Sequence, residues 1–347
     1  MIFVIVVVVL VTLAGFFGWI RLSSFRPDQI QTETVTCKEE APILSSTEEI
    51  KLLSWNIQYL AGKNYYFYYE SGNDRQPSSE DVARTTKEVV RVVKDEDPDV
   101  ILFQELDEGL KRTDREDQLE SLLELLPDEY ACHVSAFYWK TFFPLRFARN
   151  DFAGIKLSIV SKYEITEALR HQLSLRRRNW VARQTGLKRA VLEARLPRTH
   201  GPDFLIFNTH LSAFASGAEA RTRQIEEIQY LLQRRTAEGY SWILGGDFNL
   251  LPPEKGVDEK RDIKLLFEDY QAVPSFEELN GPNQAEWYTH FPNDPQIDKP
   301  DRILDYFFLS DQVSLGEHYV RREDTLEISD HLPLITKIQL SGEGWGN

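Results

Sequence analysis

The sequence predicts an α/β fold: two mixed β-sheets packed face to face with helices outside, a four-layer sandwich, preceded by a transmembrane helix. Strand-like apolar runs alternate with segments of helical period, no internal repeat is visible, and 347 residues of 42% hydrophobic content can bury one large core. Several apolar runs also stop abruptly on short polar stretches. The clearest is residues 240–250, YSWILGGDFNL, where Trp242, Ile243 and Leu244 read as a buried strand and Gly245 and Gly246 break it. Asp247 and Asn249 are then left at its end. That pattern is a poor way to build core and a good way to build a site. The competing reading is an Asx-type turn, in which Asp and Asn cap their own backbone.

The elements follow in order. Residues 1–20 carry no charged side chain and are rich in Val, Leu, Ile and Phe, enough helix to cross a bilayer. No Lys or Arg precedes the run and no clear small-residue cleavage site follows it, so a membrane anchor over residues 1–21 is read in preference to a cleaved signal peptide. Arg21 and Arg26 flank its C-terminal side, which by the positive-inside rule holds the domain in the cytoplasm, although two arginines leave the side open. Residues 22–47, with Pro27 and Pro42 among Ser, Thr and acidic residues, read as a loose tether. The main domain spans residues 48–341, and a short Gly-rich tail covers 342–347. Cys37 and Cys132 can pair outside the cell or stay reduced inside it; their number excludes a Cys-rich zinc site.

Within the domain, residues 49–55 form the first strand, ending at Asn56. The aromatic stretch 65–69 is a packed loop or a substrate- or membrane-facing rim. Ser79 reads as an N-cap of a helix whose Val82, Val89, Val90 and Val93 make one face up to Asp97 and Pro98. A strand over 100–103 leads to Gln104 and Glu105, and residues 116–126 place Leu119, Leu122, Leu123 and Leu126 at helical spacing. Strands over 130–135 and 154–161 flank an insertion, 137–150, whose aromatic and basic mixture suits either loop packing or a lip toward lipid. The basic clusters at 176–178 and at Lys188 and Arg189 read as solvated faces, the second opening a strand over 190–196. A strand over 204–211 carries Asn208 and His210. A helix over 219–235 uses Ile225, Ile228, Leu231 and Leu232, and Gly239 ends it before the G-D-F-N strand. The final third is irregular through 292–301, then apolar over 303–309 with Asp305 inside it, and closes on a strand over 333–340.

Six polar stretches thus stand at or in strands: Trp55-Asn56, Gln104-Glu105, Asn208-Thr209-His210, Gly246-Asp247-Phe248-Asn249, Leu304-Asp305-Tyr306 and Ser329-Asp330-His331. In this order they resemble the endonuclease/exonuclease/phosphatase superfamily of metal-dependent phosphohydrolases, over about residues 49–340. Arg302 to Tyr306 fits the family's strand pattern with one residue of slack. The resemblance implies the two-sheet sandwich and a phosphoester substrate. It also implies Glu105 as principal ligand of a divalent cation, with Asn56 and Asp330 completing the site. Hard oxygen donors of this kind suit Mg²⁺, with Mn²⁺ as a substitute. His331 is expected as general base or as the group that stabilises the phosphorane-like state, with Asp305 orienting it. Asp247 aligns the attacking water, and Asn249 and His210 donate to phosphoryl oxygens. Gln58 stands where some nuclease members carry an acid, and the tyrosine that several nucleases place over the phosphate is not locatable.

A net charge of −15 disfavours long nucleic acid as substrate. The leading expectation is therefore a single-pass, membrane-anchored, monomeric phosphoesterase acting on a lipid-linked or small organic phosphate, like a sphingomyelinase or an inositol phosphatase. A nuclease acting on DNA or RNA is the alternative, and a catalytically dead binding module the third.

Overall fold

The structure is a computed structural model and describes every residue except 47, 68–73, 143–151, 177–178, 214–217, 256–262, 293, 295 and 341–347. The elements in chain order are α1 (Ile2–Ser23), β1 (Ile30–Thr32), β2 (Val35–Cys37), β3 (Glu49–Asn56), α2 (Ser79–Glu96), β4 (Val100–Glu108), α3 (Gln118–Leu123) and β5 (Cys132–Phe142). Then come β6 (Phe152–Ser161), β7 (Glu167–Gln172), α4 (Trp180–Thr185), β8 (Ala190–Leu196), β9 (Phe204–His210), α5 (Ala218–Ala237) and β10 (Ser241–Asp247). The last third holds α6 (Lys264–Asp269), β11 (Gln271–Val273), α7 (Phe276–Leu279), β12 (Asp305–Leu309), β13 (Val313–Val320) and β14 (Leu334–Leu340).

Among the described residues, fourteen strands make two mixed seven-stranded sheets, ordered β1-β7-β8-β9-β10-β12-β11 and β13-β14-β3-β4-β6-β5-β2. Their inner faces meet in one core, to which Leu102 and Leu157 contribute from one sheet and Phe207, Leu244 and Phe307 from the other. Gly245 marks how closely the sheets approach. A Cβ added there would fall 2.5 Å from the Phe307 ring and 2.7 Å from a Leu102 methyl, so only hydrogen fits between the layers. The valine face of α2 and Leu119 and Leu122 of α3 cover the outer side of β3 and β4, and Ile225, Ile228 and Leu232 of α5 join the main core on the other sheet. The expected sandwich is therefore the observed one.

Several boundaries differ from the expectation. Ser78, not Ser79, caps α2, its side chain accepting from the Asp81 amide. The leucine-rich helix is shorter than expected, ending at Leu123. Residues 22–47 are not a loose tether: β1 pairs with β7 and β2 with β5, while Leu44 is fully buried. Three-residue edge strands carry too little period to be read from side-chain type. Residues 137–142 of the expected insertion extend β5, paired with β6 to its end at Phe142–Phe152; residues 143–150 lie outside the described residues, as do 68, 69, 177, 178 and the tail. The two cysteines are paired, Cys37 to Cys132 across β2 and β5. Helix α1 is long and apolar enough to cross a membrane, and of its residues only Ile20 is buried.

Candidate active site

The two sheets are locked together at one end by a buried polar bridge. Gln104 Nε2 donates to Asn208 Oδ1 (2.8 Å), and Asn208 Nδ2 donates to the carbonyls of Phe103 and Ser158 (2.9 Å each). The donors of both buried amides are engaged, and leaving a buried amide donor unpaired costs about 1–3 kcal/mol, so the bridge favours one register. Each bridge residue has a neighbour of chemical interest: Glu105 follows Gln104, and His210 lies two residues beyond Asn208. The pairing of β4 with β6 skips between Phe103 and Leu106, and Glu105 sits there in the left-handed region at φ 60°. A bulge of this kind re-aims the side chain, and a non-glycine residue held at positive φ is strain of the sort found at functional sites.

On β10, Gly246 adopts φ 141° with Thr209 O so near that a Cβ would meet it at 2.1 Å, so glycine is required where the strand turns out toward Asp247. Asp247 is then held from three sides. Asn56 Nδ2 donates to its Oδ2 (3.1 Å), the Asn249 amide N–H donates to its Oδ1 (2.9 Å), and His210 Nε2 lies 3.3 Å away. The Asx turn and the site therefore coexist. Asn249 Nδ2 is engaged by Leu211 O and Asp247 Oδ2 (3.2 Å each), so this amide braces Asp247 instead of standing free for a phosphoryl oxygen.

His331 lies at the centre. Its Nδ1 is 2.8 Å from Asp305 Oδ2, its Nε2 is 3.7 Å from Asp247 Oδ2, and its carbonyl accepts from Trp55 Nε1 (2.8 Å). Ser329 Oγ donates to Asn56 O, and Gln58 Oε1 accepts the Asp330 amide. Gln58 thus occupies its unusual place as the support of the Ser329–His331 turn. Asp305 opens β12 instead of lying inside it, directly opposite Asp247 in the antiparallel pairing with β10.

Electrostatics separates the two histidines. Burial opposes charge on His331, but Asp305, Asp247 and Asp330 overcome it and lift its pKa to about 10, so the ring is an imidazolium at neutral pH. Burial, then the nearby charges of Arg189 and His331, push His210 well below its ordinary range and keep it neutral. Burial first, then Asp330 and Asp247, raise Glu105 to about 8, while burial raises Asp330 and carries Asp247 to about 6. The buried Asp247 and the half-buried Glu105 and Asp330, which repel one another, joined by a neutral amide oxygen, are a donor set that a hard divalent cation fits. His290, Asp330 and His331 present ligand atoms within 4.8 Å of one another, as do Asp247, Asp305 and His331.

Three residues escaped the sequence reading. Arg189, assigned there to a solvated face, is buried at 6% exposure, with Nε and Nη1 unpartnered and its guanidinium 4.8 Å from the Tyr138 ring. Tyr138 stacks edge-on against His210 at 5.5 Å, and its buried hydroxyl also has no partner among the described residues. It stands in the chain between the Glu105 and His210 motifs, where the tyrosine over the phosphate was not locatable, hidden in what was read as an insertion. His290 packs its ring 4.4 Å from that of His331; a lone His in Y-T-H-F gave no signal.

The ends of the two packed sheets thus bring together carboxylates, a His–Asp pair and the buried Arg189 and Tyr138, an arrangement suited to a phosphoester hydrolase. The chain belongs to the endonuclease/exonuclease/phosphatase family, whose model matches residues 53–331. Members of this family generally use divalent metal ions. Its structure is similar to that of an endonuclease/exonuclease/phosphatase from Beutenbergia cavernae DSM 12333 (18% identity, TM-score 0.58, covering 84% of this chain and 72% of that one). It is also similar to the human Nocturnin catalytic domain with bound sulfate (16%, 0.55, 89% and 97%) and to D. rerio TDP2 complexed with a single-strand DNA product (15%, 0.53, 84% and 99%). At these identities the likeness is one of fold. A search of curated proteins finds no match.

Proposed function

We propose that the protein is a Mg²⁺-dependent, membrane-anchored phosphoesterase acting on a lipid-linked or small organic phosphate. The observation that carries the chemistry is the buried Asp305–His331–Asp247 array facing Glu105 and His210. Glu105, Asp330 and Asn56 hold the cation, and Mn²⁺ can replace Mg²⁺; when bound, the ion neutralises the phosphoryl oxygens and eases departure of the leaving oxygen. Asp247 orients the water that attacks phosphorus, and Asn56 and Asn249 fix Asp247. Asp305 holds His331 in its cationic form, so the ring stabilises negative charge on the phosphorane-like state. Neutral His210 and the Arg189 and Tyr138 pair receive phosphoryl oxygens.

The substrate preference rests on charge and placement. A net charge of −15 gives no general attraction for long polyanions, and the C-terminal turn of α1 is bound to the same strand that carries Tyr138. The Cys37–Cys132 disulfide favours an oxidising compartment and so the outer side of the membrane, a stronger indication than Arg21 and Arg26. A panel of phospholipid vesicles, inositol phosphates and plasmid DNA, assayed in Mg²⁺ and in EDTA, tests the reading. Release of a headgroup or of inorganic phosphate that stops in EDTA supports it. Nicking of plasmid with no action on lipid would instead assign the site to a nuclease.

A further inference from the structure

Helix α4 is short, and none of its residues is buried. Trp180 and Val181 stand 45% and 37% exposed, and Leu187 just beyond it 44%. Such side chains usually turn inward in a globular domain. Here they adjoin the anchor: the Phe17 and Trp180 rings meet edge-on at 5.4 Å. Phe17 lies four residues before Arg21, about 6 Å up the helix at ~1.5 Å per residue. Helix α1, whose 22 residues span about 33 Å at that rise, matches a bilayer core of roughly 30 Å, so a ring at the level of Phe17 lies inside the interface. Cations ring the apolar patch. Arg21, Arg26 and Arg183 are exposed, and Lys188, whose ammonium donates to Arg183 O, is pushed down by burial and then by Arg183, Arg170 and Arg26. Aromatic and aliphatic side chains bordered by arginines suit the boundary between acyl chains and anionic headgroups.

The patch is also tied to the catalytic centre. Trp139 Nε1 on β5 donates to Thr185 O at the end of α4 (2.9 Å). Thr141 Oγ1, on the same strand, donates to Ser23 O at the end of α1 (3.3 Å), and Thr141 forms a bridge with Ser24. Tyr138, against His210, is three residues back along that strand, about 10 Å at ~3.3 Å per residue.

We propose that Trp180, Val181 and Leu187 form a second membrane contact beside the anchor, occupied by the lipid bilayer, which holds the catalytic cleft about one headgroup length from the surface and makes the phosphoester of a membrane lipid its substrate. The lipid substrate rests on the phosphoesterase reading above; the contact itself does not. The bilayer is the occupant because the patch continues the apolar surface of α1, which nothing else in the chain covers among the described residues.

The test reconstitutes the full-length protein in vesicles of phosphatidylcholine and phosphatidylserine carrying a doxyl-labelled lipid. Tryptophan quenching is compared between wild type and Trp180→Phe, and hydrolysis between wild type and a Trp180→Ser, Val181→Ser variant. The wild type should show a quenched component that Trp180→Phe lacks. The serine variant should hydrolyse bis(p-nitrophenyl) phosphate within about twofold of wild type while losing about tenfold or more on vesicle phospholipid. Absence of the Trp180 component would overturn the contact. An equal loss on both substrates would overturn it too, by showing that α4 packs the fold. Quenching with no hydrolysis of any phosphoester by wild type would leave the contact standing and sink the enzymatic reading.

Discussion

Replacing Glu105 by Gln should raise the stability of the metal-free protein and blunt its response to metal. Burial, then the charges of Asp330 and Asp247, raise this carboxyl from 4.5 to about 8, with His331 and Arg189 acting the other way. Because the folded-state pKa is the higher one, the metal-free folded chain holds a proton that the unfolded chain has released. Stability is therefore full below 4.5 and falls as pH rises toward 8. At pH 7, at ~1.36 kcal/mol per unit, the loss is about 3 kcal/mol. Side-chain exposure of 17% and an imperfectly bonded amide reduce the gain from Gln to about 2 kcal/mol. For a domain of this size that raises Tm by about 4 °C in EDTA.

Mg²⁺ should close most or all of that gap. A cation at a hundred times its Kd adds about 2.7 kcal/mol to the wild type. A tenfold to hundredfold weaker site leaves the variant about 0.4–1.4 kcal/mol. Differential scanning calorimetry of the detergent-solubilised full-length chain in EDTA and in Mg²⁺ reads both effects without an activity assay. The EDTA advantage should also vanish near pH 4.5. A variant that melts below wild type in EDTA and shifts equally with Mg²⁺ would show that Glu105 is neither repelled by its neighbours nor a ligand.

Asp305→Asn keeps the shape at His331 Nδ1 but removes the charge that holds the imidazolium. On bis(p-nitrophenyl) phosphate kcat should fall about a hundredfold or more with KM little changed, and equal falls in kcat and in thermal stability would point to a fold defect instead. Tyr138→Phe deletes a buried hydroxyl with no partner, so Tm should hold or rise while inhibition by inorganic phosphate weakens about tenfold; unchanged inhibition would remove Tyr138 from the phosphate site. Glu33 is lifted by burial, against Arg170, to about 7, so its burial destabilises the fold as pH rises from 4.5 to 7. Glu33→Gln should match wild-type Tm at pH 4.5 and exceed it above pH 7, and a constant offset across that range would refute the shift. Reduction should lower Tm, consistent with about 2–4 kcal/mol from the Cys37–Cys132 link, and alkylation of both thiols without prior reduction would show them unpaired.

What was legible in the chain is what chemistry makes obligatory. The structure brings Asn56, Glu105, His210, Asp247, Asp305 and His331 together, and each was visible by its type and by the break in apolar period beside it. The two-sheet core was legible from the apolar runs that alternate with helical segments, whereas Gly245, read as the break that ends a strand, lies inside β10 where the two sheets meet. The supports were less visible. Gln58 looked like a missing acid, yet its side chain carries the Asp330 amide, a role that any hydrogen-bonding residue of that reach could fill. The strands β1 and β2 are stabilised by partners more than ninety residues away, and three residues leave no periodic trace of such pairing.

Arg189 shows the deeper limit. Next to Lys188, with Arg183 before it, it reads as one of a run of surface cations, because charge runs usually face water. Its burial follows from something the local sequence cannot express. Strand β8 continues into a sheet whose neighbour β9 delivers His210, and β5 of the other sheet lays Tyr138 across the guanidinium. A buried cation with open donors is costly unless an anion completes it. On the function proposed above, the phosphoryl group of the substrate supplies that anion. Arg189 is therefore tolerable in the fold for the reason that makes it useful in the site, and only the juxtaposition of both sheets reveals it.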